Sequence, residues 1–172
     1  MPIERSGLLD LLEEVDRKLK KPITIIAAGG TAMTLLGFKR STIDIDFDLS
    51  GDDAKEFRGA LKAVAHGFRI DIFTKGMIFS QQLPDDYAEK SIAIKTGLKK
   101  IKLRVLHPID IVASKIGRLN ERDMQDIGAC IGKYKLTADQ IKQRAESVQY
   151  VGREESYADN IKHVLRTFFA EK

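Results

Sequence analysis

Three aspartates, Asp44, Asp46 and Asp48, alternate with Ile43, Ile45, Phe47 and Leu49. Successive side chains of a strand point to opposite faces, so this period of two predicts a strand over 43–49 with all three carboxylates on one side. On that side, Cβ atoms two residues apart are roughly 6.5–7 Å from each other. The apolar face turns to the core, which leaves the acids facing solvent or a cleft. A second run, 68–73, carries Asp71 between Ile70 and Ile72 and predicts another strand. If the two strands pair, Asp71 sits beside Asp44 and Asp46. Like charges side by side on a sheet repel, and a divalent cation is a natural compensation. Mg²⁺ takes a few carboxylates together with water and phosphate oxygens, and two such ions can activate an attacking oxygen and stabilise a leaving one. The same pattern also describes an ordinary half-exposed strand with an acidic outer face.

The segment just upstream tilts the balance toward chemistry. Residues 23–28 form a short β-branched run that predicts a buried strand. Gly29-Gly30-Thr31 follows, and a helix is expected from there to Gly37. Paired glycines at a strand–helix turn let backbone N–H groups approach a phosphate, helped by the helix N-terminus. The turn lacks the Gly-Lys-Ser/Thr ending of a P-loop.

These pieces together resemble a known family. The run from Ala28 to Asp46, AGGTAMTLLGFKRSTIDID, is similar to the signature of the DNA polymerase β-type nucleotidyltransferase superfamily: a Gly-Gly or Gly-Ser turn, a strand bearing Asp-x-Asp, and a third carboxylate on a later strand. Arg40-x-Thr42-x-Asp44-x-Asp46 resembles most closely its small prokaryotic members, including the AbiEii-like toxin group. The resemblance implies a minimal nucleotidyltransferase fold of the α/β (α+β) class, a mixed sheet flanked by helices. It implies Mg²⁺ (or Mn²⁺) held by Asp44 and Asp46, with Asp71 as the third ligand and the activator of the attacking hydroxyl. It implies Gly29, Gly30 and Thr31 around the triphosphate of an NTP such as ATP. The reaction would move an NMP moiety to an acceptor hydroxyl on RNA, tRNA or a protein and release pyrophosphate. A toxin with an antitoxin partner is one biological setting for that chemistry; a non-catalytic nucleotide- or RNA-binding relative is the alternative.

Downstream, Pro108 predicts the first residue of a helix running to about Leu119, with Lys115 inside its apolar stretch. If the helix continues, Lys115, Arg118 and Arg122 share a face. The pattern Lys115…Arg118…Arg122-Asp123…Asp126 resembles that of the AbiEii-like group, which implies Lys115 and Arg118 on the nucleotide phosphates. A lysine that snorkels to water, or an ion-pair network orienting helices, fits the same residues. A hairpin around Gly97 is basic, with Lys95, Lys99, Lys100, Lys102 and Arg104; it reads as a charged strand edge or as a nucleic-acid contact surface.

The elements that must position these groups follow from the same reading. Helices are expected over 7–20, from Ser50 as cap to about Ala65, and near 121–132, 137–149 and 157–170, with Thr137 and Gln140 as a capping box. Strands are expected at 91–96 and 101–106, and 75–90 carries a loop at Pro84-Asp85-Asp86. The expected organisation is an α/β core over 1–106 and a helical part over 107–172 packed on it as one compact unit.

The 172 residues, 43% hydrophobic and 31% charged, suffice for a core without disulfides. No apolar run approaches the roughly 18 residues of a membrane span, and the acids in the N-terminal pattern argue against a signal peptide. With one cysteine, Cys130, a cytoplasmic protein without membrane contact is expected. The net charge of +4 suits a phosphate-bearing partner without requiring one. His66, His107 and His163 have no zinc spacing.

Overall fold

A computed structural model describes residues 1–170. In chain order it contains β1 (Ile3–Glu4), α1 (Arg5–Lys18), β2 (Ile23–Ala27), α2 (Gly29–Leu35), β3 (Ser41–Thr42), β4 (Ile45–Leu49), α3 (Gly51–Leu61) and β5 (Ile70–Thr74). There follow β6 (Met77–Ile78), β7 (Gln81–Gln82), α4 (Tyr87–Lys90), β8 (Ile92–Ala93), β9 (Ile101–Val105), α5 (Pro108–Ile116), α6 (Glu121–Tyr134), α7 (Ala138–Glu146), β10 (Gln149–Tyr150) and α8 (Glu154–Phe169). The chain divides into two compact units. One is Met1–Lys75 with Ser91–Val105; the other is Gly76–Lys90 with Leu106–Lys172. The second unit thus takes residues 76–90 as well as the C-terminal helices.

The first unit is built on a mixed five-stranded sheet of order β5-β4-β2-β9-β8. β4 pairs parallel to β5 and antiparallel to β2, while β9 runs parallel to β2 and antiparallel to β8. The hairpin expected around Gly97 is therefore present, with a shorter first strand. α1 and α3 pack on each other, and Leu8, Leu12, Val15, Ile25, Phe47 and Phe57 are buried in this layer. The Phe47 and Phe57 rings meet edge to face at 5.8 Å. Ser50 caps α3, its Oγ accepting the Asp53 N–H at 3.3 Å.

Two expectations about the acidic strand fail. The strand begins at Ile45, so Asp44 precedes it, and Ile43 is 55% exposed instead of buried. Asp46 and Asp48 are both enclosed rather than facing solvent. The reason is position: β4 lies between β5 and β2 inside the sheet and is covered on both faces, so all five of its residues are buried.

The second unit is organised around α5, every residue of which is buried. α6, α7 and α8 all contact it. A helix apolar on all sides belongs at the centre of a bundle, yet α5 carries Asp110, Ser114 and Lys115, and each finds partners. Arg144 on α7 donates to Asp110 through Nε at 2.6 Å and Nη2 at 2.9 Å, and through Nη1 to Asp86 at 2.7 Å. Ser114 Oγ donates to the Ile111 carbonyl. α5 ends at Ile116, short of Leu119, and the chain turns through Gly117–Asn120 before α6. The common helix face expected for Lys115, Arg118 and Arg122 is therefore not formed. Thr137 and Gln140 make the expected capping box of α7.

Candidate active site

β2 delivers the chain to the Gly29-Gly30 turn, where each glycine has its own backbone requirement. Gly29 has φ 52°, in the left-handed region that glycine enters without steric cost. A Cβ on Gly30 would lie 2.6 Å from Thr42 Oγ1, closer than such atoms approach. The turn thus presses on β3, and hydrogen bonds tie it to the aspartates. Thr31 Oγ1 accepts the Asp46 N–H at 2.9 Å and donates to the Asp44 carbonyl at 3.3 Å. Thr42 Oγ1 donates to the same carbonyl at 2.8 Å. The Ala28 N–H donates to the Asp46 carbonyl at 3.0 Å. Two buried hydroxyls and one amide therefore set the backbone of the Asp-x-Asp segment against the glycine turn. Thr31, expected at the triphosphate, has its hydroxyl engaged on the Asp44–Asp46 backbone. Thr42 does the same work, although its place in the motif was the sequence signal for it.

The expected pairing of the two acid-bearing strands is present. Asp46 stands directly opposite Asp71 in the parallel β4–β5 ladder, so both side chains leave the same face of the sheet on strands about 4.8 Å apart. Asp46 is 5% exposed. The Asp71 side chain is 36% exposed, and Arg69 Nε lies 3.4 Å from its Oδ2. Asp44, one residue before the strand, is exposed. Among the described residues no three His, Cys, Asp or Glu side chains are placed to hold a metal ion by themselves. Asp44, Asp46 and Asp71 are thus not a closed three-ligand cage. Mg²⁺ has no need of one: with a nucleotide present, one or two carboxylates suffice and phosphate oxygens and water complete the octahedron. The facing pair Asp46 and Asp71 fits that demand.

Lys115 and Arg118 belong to the second unit, where the structure gives them another occupation. Lys115 is 1% exposed, and its Nζ lies 3.0 Å from Asp126 and 3.4 Å from Asp123. Arg118 donates twice to Asp123, at 3.0 and 3.1 Å, and stacks over the Phe79 ring at 4.4 Å. Asp123 also accepts the Asn120 N–H as part of the α6 capping box. The ammonium of Lys115 neither snorkels to water nor stands free; it fastens α6 to α5. Arg122 is exposed. Cys130 is buried beside this network, and burial pushes its thiol up to about 12, so it is not a nucleophile at neutral pH.

Sequence reasoning missed Asp16. Its carboxylate accepts the N–H groups of Lys99, Lys100 and Ile101 at 3.1, 2.8 and 2.8 Å, tying α1 to the start of β9. Burial alone would raise its pKa, but these three donors and the Lys100 charge bring it below the usual carboxylate range. Lys100 Nζ in turn donates to the Leu19 carbonyl at 2.6 Å.

A family model described as "Nucleotidyltransferase of unknown function (DUF6036)" matches residues 6–170. The chain belongs to this family. No curated protein matches it significantly. Among solved structures, it is similar to an antigenic nucleotidyltransferase-like protein from Paracoccidioides brasiliensis. The TM-score is 0.55 and the identity 12%, over 97% of this chain and 91% of that one. The likeness shows the fold: the mixed α/β architecture is nucleotidyltransferase-like. No helix of the described residues is long and apolar enough to cross a membrane.

Proposed function

We propose that this family member transfers an NMP moiety from an NTP to an acceptor hydroxyl on RNA, tRNA or a protein. The observation that carries the reading is the facing pair Asp46 and Asp71 beside the Gly29-Gly30 turn. Asp44, Asp46 and Asp71 would hold Mg²⁺ or Mn²⁺, which when bound neutralises triphosphate charge and polarises the α-phosphate. Gly29 and Gly30 present backbone to the phosphates. Thr31 and Thr42 hold Asp44 and Asp46 in place. Asp71, the more exposed of the facing pair, accepts the proton of the acceptor hydroxyl. The acceptor oxygen bonds to the α-phosphorus as the α–β bridging P–O bond breaks and pyrophosphate leaves. No covalent enzyme intermediate is needed, because positioning and charge stabilisation supply the rate. Lys115 and Arg118 we assign to the ion-pair network of the second unit.

The test is incubation of the protein with each labelled NTP, Mg²⁺ and total RNA or cell extract. Label on a macromolecule, lost with Asp46→Asn, is the expected result. Growth arrest on expression, also dependent on Asp46, would extend the reading to a toxin of the AbiEii-like kind. One observation favours a second reading, a non-catalytic nucleotide- or RNA-binding relative: the described residues contain no ready three-ligand metal group. NTP binding by calorimetry without transfer to any acceptor, and equal with or without EDTA, would decide for it.

A further inference from the structure

The second unit contains a cleft of ≈ 420 Å³, lined by residues of α4, α5 and α7 and of the segments flanking α5 and α7. Ile109 and Leu136 form an apolar wall, and Lys90, His107, Gln143 and Arg144 bring polar groups to it. No acidic side chain is among the described residues that line it. We infer that this cleft binds a small organic anion, a single carboxylate or phosphate group joined to an apolar body.

The donors that face the cleft are the reason. Arg144 has five N–H groups; three hydrogen bonds go to Asp110 and Asp86, which leaves two. Those two aspartates hold the guanidinium flat and fixed, so it is preorganised for a planar or tetrahedral oxyanion. His107 caps α5, its Nδ1 accepting the Ile109 N–H at 3.0 Å. An imidazole that accepts at Nδ1 while neutral carries its proton on Nε2, so the ring remains a donor. Lys90, exposed at the end of α4, adds a positive charge. The volume lies within the range of small-molecule sites, and the Ile109–Leu136 wall gives an apolar body a surface to cover. The imidazole is kept below its usual pKa by burial. Asp110 acts against this, and the charges of Lys90 and Arg144 add to it. An anion seated among these groups reverses part of that field and raises the His107 pKa.

The probes are benzoate and phenyl phosphate, with acetate and inorganic phosphate as anions lacking the apolar body and benzyl alcohol as the body lacking the charge. The full chain is titrated with each while the His107 ring resonance is followed by NMR, assigned with His66→Gln and His163→Gln. Benzoate or phenyl phosphate is expected to shift the resonance and raise the His107 pKa, and the tighter of the two identifies the anionic group. Acetate and inorganic phosphate should bind roughly tenfold more weakly, and benzyl alcohol should leave the resonance in place. Lys90→Glu, an exposed change, should weaken benzoate or phenyl phosphate binding by about tenfold at unchanged melting temperature. An unmoved His107 with every anion, equal response to benzyl alcohol, or binding indifferent to Lys90→Glu would overturn the inference. None of these outcomes bears on nucleotide transfer, which depends on Asp46 and is read separately.

Discussion

In the second unit Asp110 is fully enclosed and meets Arg144 through two hydrogen bonds, and Asp123 and Asp126 are enclosed around Lys115. In the first unit Asp44 is exposed, and Asp71 is about one-third exposed beside a guanidinium that is itself mostly in solvent. Both units carry acids at positions a pattern reader would single out. A buried carboxylate survives only with a matched cation or several N–H donors, and then it serves the fold. Asp44 and Asp71 reach solvent and have no such structural need, while Asp46 is itself enclosed. The contrast assigns architecture to the second unit's acids and supports the proposed chemistry at Asp44 and Asp71.

That contrast can be broken at several points, the largest effect coming from Arg144. Arg144→Met leaves Asp110 buried without a cation, and should cost about 3–5 kcal/mol, seen as a Tm lower by roughly 10 °C. Adding Asp110→Leu should recover much of the loss, because an apolar pair has no desolvation cost. If Arg144→Met unfolds no more readily than the wild type, the second unit does not depend on its charge pairs.

Next in size is the reaction itself. Asp46→Asn and Asp44→Asn should each lower transfer by at least about 100-fold, roughly 2.7 kcal/mol of barrier. Asp44→Asn should leave the denaturation midpoint in EDTA unchanged, since the side chain is exposed. A midpoint that falls with retained transfer would reverse the assignment.

Thr31→Val keeps shape but removes the hydroxyl that joins the Asp44 carbonyl and the Asp46 N–H. A loss of about 1–3 kcal/mol in urea unfolding is expected. Reduced transfer should accompany it without loss of residual metal-dependent nucleotide binding.

The smallest effect sharpens the comparison from within the first unit, at an acid whose carboxylate is bound by three backbone N–H groups. Asp16 has a folded pKa below its unfolded value of 3.8. Its contribution is therefore present above pH 3.8 and is lost as pH falls through the folded pKa. Asp16→Asn should cost roughly 1–2 kcal/mol at pH 7, and the gap between variant and wild type should close as the pH drops below 3.8. A gap that is constant with pH would mean the N–H groups of Lys99, Lys100 and Ile101 bind the amide as well as the carboxylate.

Local signals in the sequence were sufficient for much of this. The period of two over 43–49, of which the first two residues fall outside β4, the Gly-Gly turn after β2, the Ser50 and Thr137 caps and Pro108 at the start of α5 each act through neighbours a few residues away, so each could be read directly. The motif from Ala28 to Asp46 located the acidic end of the sheet for the same reason: turn and strand adjoin in the chain and in space. What only the tertiary structure decided is which charges are enclosed. Asp46 and Asp48 read like acids on an open strand face, yet both are shut inside because β4 is an interior strand covered on both faces. Lys115 reads like a phosphate-binding arm, yet α5 is central in its unit and the ammonium is closed between Asp123 and Asp126. Asp16 reads like any surface acid of a helix, and its partners lie more than eighty residues away. Burial and long-range pairing depend on which elements cover which faces, and a pattern of two or 3.6 residues carries no record of that.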